Sequence, residues 1–137
     1  MILAPTESNR PRRALLPAEI LVVEDDPAVR SSMRFSLEAE GYRVRIFANA
    51  GALLAEPDLP LRGCLVCDYF LPDGNGLDLI RTLRGRGVEL PAILVTTAPD
   101  AALWATARQN HVRIVEKPLI GDALSLALQA VIAAGGS

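Results

Sequence analysis

Short apolar runs alternate with amphipathic stretches along almost the whole chain, and this alternation constrains the fold more than any other feature. Ile20 to Val23, Gly63 to Asp68, Ala92 to Thr96 and Val112 to Glu116 read as buried strands. Tyr42 to Ala48, where apolar residues alternate with Arg, reads as a further one. Helical patterns lie between them. Pro27 suits a first turn with Asp26 as N-cap, and Gly41 closes that helix. Its apolar stripe is Val29, Met33, Leu37 and, one step round, Phe35. Asn49 caps a short helix carrying Leu53 and Leu54. Leu71-Pro72-Asp73-Gly74-Asn75-Gly76 is a loop, and the helix after it ends at Gly85 or Gly87. Pro99 and Asp100 start a fourth helix that runs to about Asn110, and a last one spans Gly121 to about Ala134.

Five β-α units therefore follow one another. Strands this apolar are buried on both faces, which requires a parallel sheet with helices on each side and right-handed crossovers. Five strands in about 120 residues favour the flavodoxin-like doubly wound α/β order 2-1-3-4-5 over the Rossmann order.

Charge excludes some partners. Fourteen Lys plus Arg against 16 Asp plus Glu leave −2, without the basic excess that coats nucleic acid or a membrane surface. No apolar run approaches the roughly 20 residues that cross a bilayer. Residues 1–17 are rich in Pro, Arg and small polar groups and lack a signal peptide's apolar stretch and cleavage site. They read as a disordered leader, with Arg10, Arg12 and Arg13 on a solvated tail, and the protein as cytoplasmic. Cys64 and Cys67 form a C-x-x-C, but on one strand residues three apart face opposite ways, so both read as buried, unreactive thiols. His111, the sole histidine, reads as a surface turn residue.

Ligands of an open parallel sheet bind where strands end, at the topological switch point. Strand one ends in Glu24-Asp25-Asp26, strand three in Asp68, strand four in Thr96-Thr97 and strand five in Glu116-Lys117-Pro118. Clustered carboxylates repel unless a cation neutralises them. The all-oxygen character points to Mg²⁺. A site combining Mg²⁺ with Lys117, the chain's only lysine, suits a phosphoryl group, whose oxygens need positive charge on several sides.

The run Ile20 to Pro27, Asp68 followed by Leu71-Pro72-Asp73-Gly74-Asn75-Gly76, Pro91 with Thr96, and Glu116-Lys117-Pro118 together resemble the receiver domain of two-component response regulators. The resemblance covers about residues 18 to 134 and implies a role for each matching position. Asp68 would accept a phosphoryl group, becoming a 4-aspartylphosphate, from a sensor histidine kinase or a histidine phosphotransfer protein. Asp25 would bind Mg²⁺ directly, Glu24 through water, and Asp68 and the backbone carbonyl of Phe70 would complete the protein ligands. Thr96 would be the switch hydroxyl and Lys117 the partner of Asp68 or its phosphate, with a cis Lys117-Pro118 bond. Asp26 matches no ligand position, in keeping with a cap. The chain would catalyse only its own phosphorylation and dephosphorylation, and is not an enzyme acting on a separate substrate.

Two positions depart from the family pattern. Ile114 stands where an aromatic is usual, and Thr97 where Ala or Gly follows the switch threonine. Only 19 residues follow Pro118, so the expectation is a stand-alone regulator with no output domain. Its target, or a second copy, would dock on the fourth helix, fifth strand and last helix. There Leu126, Ala130 and Ala133 lie off the core stripe, and Trp104 lies beside Leu103. The alternative on the same fold is an interaction module that works without phosphorylation. A haloacid-dehalogenase-type phosphatase needs a second Asp where Phe70 stands, and a P-loop needs a Gly-Lys pair that is absent.

Overall fold

The computed structural model describes residues 18–119 and 121–135. The expected leader, with Arg10, Arg12 and Arg13, lies outside them. Five strands, β1 (Glu19–Val23), β2 (Arg43–Phe47), β3 (Gly63–Asp68), β6 (Ala92–Thr96) and β7 (Val112–Glu116), form one sheet in the order β2-β1-β3-β6-β7. Every pairing is parallel, and counting these strands alone the order is 2-1-3-4-5. Helices α1 (Pro27–Ala39), α2 (Ala50–Leu54), α3 (Gly76–Gly85), α4 (Ala101–Gln109) and α5 (Ala123–Gly135) make the connections and close the chain. Two short antiparallel strands, β4 (Phe70–Leu71) and β5 (Gly74–Asn75), turn the stretch read as plain loop into a hairpin. A two-residue ladder carries no hydrophobic periodicity, so no sequence pattern announces it.

The sheet divides the core into two layers. Leu21, Val23, Leu65, Cys67 and Leu94 face α2 and α3, while Ile20, Val22, Cys64, Val66 and Ile93 face α1 and α5. The two cysteines thus lie on opposite faces, both free and buried. Burial pushes the Cys64 thiol up to about 12 and raises that of Cys67 further above its usual range. Both stay protonated and inert. His111 is an exposed turn residue with φ 56°. Among the described residues no helix is long and apolar enough to cross a membrane.

The two N-caps read from the sequence are present, and Asp100 adds a third. Asp26 accepts the N–H groups of Ala28 and Val29, Asn49 that of Ala52, and Asp100 that of Leu103. Two expectations change. Phe35 is 79% exposed and does not join the core stripe of α1. It lies two residues, about 200° of helical rotation, from Met33, on the opposite face. The last helix begins at Ala123 and not at Gly121, because Gly121 has φ 69°, a left-handed conformation that no helical residue adopts.

Gly76, the first residue of α3, packs under the end of β3. A Cβ there would lie 2.5 Å from the Asp68 carbonyl oxygen and 2.7 Å from both Cys67 Sγ and Leu94 Cδ1. Gly76→Ala is therefore expected to destabilise the protein by about 1–3 kcal/mol through forced displacement of β3. A denaturant midpoint equal to the parent's would contradict that reading of the contact.

Candidate functional site

The crossover from β2-β1 on one side to β3-β6-β7 on the other makes the carboxyl ends of β1 and β3 the switch point of the sheet. Strand register then decides which side chains meet there. Val23 pairs with Cys67, so Glu24 and Asp25 emerge beside Asp68. Asp68 pairs with Val95 and Thr96 with Glu116, which brings Thr96 and Lys117 to the same edge. The Lys117 N–H donates to the Thr96 carbonyl at 2.8 Å, tying the last two strand ends together. All five residues singled out from the strand ends are thus at one edge.

Glu24 and Asp68 are buried, at 3% and 8% exposure, whereas Asp25 opens to solvent. Carboxylate oxygens of the three lie within 4.8 Å of one another. Lys117 Nζ donates to Asp68 Oδ2 at 2.9 Å and to Glu24 Oε1 at 3.1 Å. Burial raises the Glu24 pKa, and the Asp26 N–H and Lys117 offset only part of that. Burial opposes the Lys117 ammonium, but the hydrogen bonds and charges of Asp68 and Glu24 outweigh it and hold its pKa above the usual lysine value.

Three carboxylates against one ammonium leave an anionic, all-oxygen donor set, the chemistry that suits a hard divalent cation such as Mg²⁺. Asp25, Glu24 and Asp68 are the side chains placed to hold one. Phe70, two residues beyond Asp68, has its backbone in β4 and its ring 66% exposed, edge-on to Tyr69 at 4.9 Å. Thr96 is fully enclosed, at 1% exposure. Beyond it Thr97 and Ala98 are exposed, and Ala98 holds φ 46°.

Two supports were missed in the sequence. Arg30 Nη1 donates to the backbone carbonyls of Glu24 at 2.8 Å and Asp25 at 3.2 Å, fastening the acidic turn to α1. The position of Arg30, in the first turn after the Asp26 cap, is the signal that was available. The second contact from Lys117, to Glu24, joins residues 93 apart and had none.

The profile of the Response regulator receiver domain matches residues 20–129. Transcriptional regulatory protein FixJ of Azorhizobium caulinodans is 36% identical over 111 residues, covering 80% of this chain and 52% of that protein. Response regulator MprA of Mycobacterium tuberculosis is 44% identical over 82 residues, covering 60% of this chain and 35% of that protein. The chain spans about half the length of the FixJ relatives it matches. Among solved structures, a CheY-like response regulator receiver domain protein from Methanospirillum hungatei superposes with a TM-score of 0.78 at 26% identity, covering 88% of this chain and 97% of the other. Full-length FixJ from B. japonicum gives 0.76 at 30% identity, covering 85% and 58%.

Proposed function

Because this chain belongs to the response regulator receiver domain family of two-component systems, we propose that Asp68 is its phosphoacceptor and that residues 18–134 form the phosphorylated unit, preceded by a leader at 1–17. One observation carries the proposal: the carboxylate ending β3 is buried, holds the chain's only lysine at 2.9 Å, and lies beside two further carboxylates.

The donor is a phosphohistidine on a sensor histidine kinase or a histidine phosphotransfer protein. An Asp68 oxygen attacks phosphorus in line, the P–N bond to the donor imidazole breaks with its electron pair leaving on nitrogen, and an acyl phosphate remains on Asp68. Asp25, Asp68, the Phe70 carbonyl and, through water, Glu24 would hold Mg²⁺. When bound, the ion supplies positive charge to the equatorial phosphoryl oxygens. Lys117 supplies charge from another side, moving its hydrogen bond from the carboxylate to the phosphate. Thr96 offers the hydroxyl that phosphate contacts recruit. The product biases a conformational equilibrium, and no separate substrate is turned over.

The readout surface in this proposal is the face of α4, β7 and α5, serving a target protein or a second copy. Trp104 is 41% and Leu126 55% exposed there, flanking a groove with Arg113 and Glu116. Ile114, at the usual aromatic position, is buried, so the shift reaches this face through the backbone after β6. The reading places the protein in the cytoplasm, with neither nucleic acid nor membrane as its partner.

Beryllofluoride, which mimics a phosphoryl group, is expected to bind only with Mg²⁺ and to change Trp104 emission. Calorimetry that detects no Mg²⁺-dependent beryllofluoride binding would replace this function with a phosphorylation-independent interaction module.

A further inference from the structure

The hairpin that follows the proposed acceptor is fastened to a distant helix by one side chain. Asp73, in the turn between β4 and β5, accepts the Ala50 N–H on Oδ1 at 3.0 Å and the Gly51 N–H on Oδ2 at 2.9 Å. These are the first two N–H groups of α2, which no carbonyl within the helix can satisfy. Asn49 takes the third, from Ala52, at 2.8 Å. Position 51 is glycine, and a Cβ there would sit 3.3 Å from Asp73 Oδ2, so the small residue leaves the carboxylate its approach. The Gly51 and Ala50 N–H bonds also hold the Asp73 carboxyl below the usual carboxylate range, keeping it an ionised double acceptor.

The same hairpin carries Phe70. Phe70 pairs with Asn75 and Leu71 with Gly74, and the Gly76 N–H closes back on the Tyr69 carbonyl at 2.8 Å. A ladder of two residue pairs is too short to hold its own geometry in water. Outside support comes from Leu71, buried in the cluster that includes Ala50 and Leu53 of α2, and from Asp73. Leu71 sinks into a core cluster shared by several elements, and such apolar packing fixes depth without direction, whereas the two hydrogen bonds from Asp73 to adjacent N–H groups of α2 fix orientation.

The geometry points to Asp73 as a positioning residue for the metal: by clamping the β4–β5 turn onto the N-terminus of α2, it aims the Phe70 backbone carbonyl at the cation held by Asp25 and Asp68. The inference rests on the function proposed above, and it adds a group outside the ligand set whose loss loosens Mg²⁺ without touching a ligand.

The test is calorimetric titration of Mg²⁺ into the full chain, with amide exchange over residues 70–75, for the parent and three variants. Asp73→Ala is expected to weaken Mg²⁺ binding about tenfold, the low end of what groups behind metal ligands contribute, and to speed exchange across the hairpin. Asp73→Asn keeps one carbonyl acceptor and is expected to recover part of both losses. Asn49→Ala removes the other cap of α2 and serves as the control: it should lower stability while leaving Mg²⁺ affinity at the parental value. Asp73→Ala binding Mg²⁺ like the parent would overturn the inference. So would Asn49→Ala weakening it equally, which would mark general fraying of α2. A parent that binds no Mg²⁺ removes the proposed function, and this role of Asp73 with it. The two failures are distinguishable: a parent that binds Mg²⁺ with Asp73→Ala binding it equally well faults the Asp73 role alone, whereas a parent that binds none faults the function.

Discussion

Asp68→Asn is expected to drop incorporation of phosphate from acetyl phosphate to background. An amide oxygen is not an effective nucleophile toward phosphorus at neutral pH, and the neighbouring buried carboxylate is already engaged. Glu24, the other buried carboxylate of the cluster, has one oxygen on Lys117 and the other on the Asp26 N–H. Asp25→Asn is a different lesion. It removes an exposed member of the cluster and leaves the buried Asp68–Lys117 pair intact, so it should slow phosphorylation by weakening Mg²⁺, and excess Mg²⁺ should restore part of the rate. Mass spectrometry of the intact chain, which resolves each added phosphoryl group, separates the two. Full labelling of Asp68→Asn would move the acceptor elsewhere.

Lys117→Met is expected to have the largest effect on stability of any single change at the site. It leaves Glu24 and Asp68 as buried carboxylates with no cation between them. Breaking a fully buried ion pair costs about 3–5 kcal/mol. The Lys117 side chain is 23% exposed, so solvent repays part of that, and about 2 kcal/mol is expected at neutral pH. In a domain this size that lowers the melting temperature by about 8 °C. The pH dependence has a definite sign. Without the ammonium, burial and the charge of Asp68 raise the folded-state pKa of Glu24 further above its unfolded value. The folded state then binds more protons, and stability falls as pH rises through the raised pKa and returns on acidification. In the parent, the raised Lys117 pKa means that the contribution of the pair is fully present below the ordinary lysine value and is lost only as pH climbs through the raised one. Mg²⁺ should also restabilise the variant more than the parent, since it replaces the missing charge. A variant with the parental melting temperature and pH slope would show that Lys117 does not balance this cluster.

Much of this was open to reading before any coordinates. Bounds of β3 and β6 follow from apolar runs punctuated by Gly63 and Pro91, because a strand buried on both faces needs an unbroken apolar run, whereas β7, at the edge of the sheet, keeps Arg113 and Glu116 exposed. The Asp26 and Asn49 caps follow from local chemistry, since a short side chain reaches only N–H groups two or three residues on. The types of group at the strand ends, and so the expectation of one polar edge, follow in turn from the fold. Phe35 and the start of α5 went wrong for reasons of rotation and backbone sign that an apolar tally does not carry.

What the chain determines alone is therefore the order of its five main strands and five helices, two of the helix caps, and which chemical groups reach the carboxyl edge of the sheet. Tertiary structure alone decided that Lys117 bridges Glu24 as well as Asp68, that Arg30 grips the acidic turn, that Asp73 clamps α2, and that Trp104 and Leu126 stay uncovered. The physical reason is range. Periodicity and capping act over one or two turns of backbone, whereas each of those features depends on the position of a group brought close by the packing of separate elements, or on a face that none of the described elements covers.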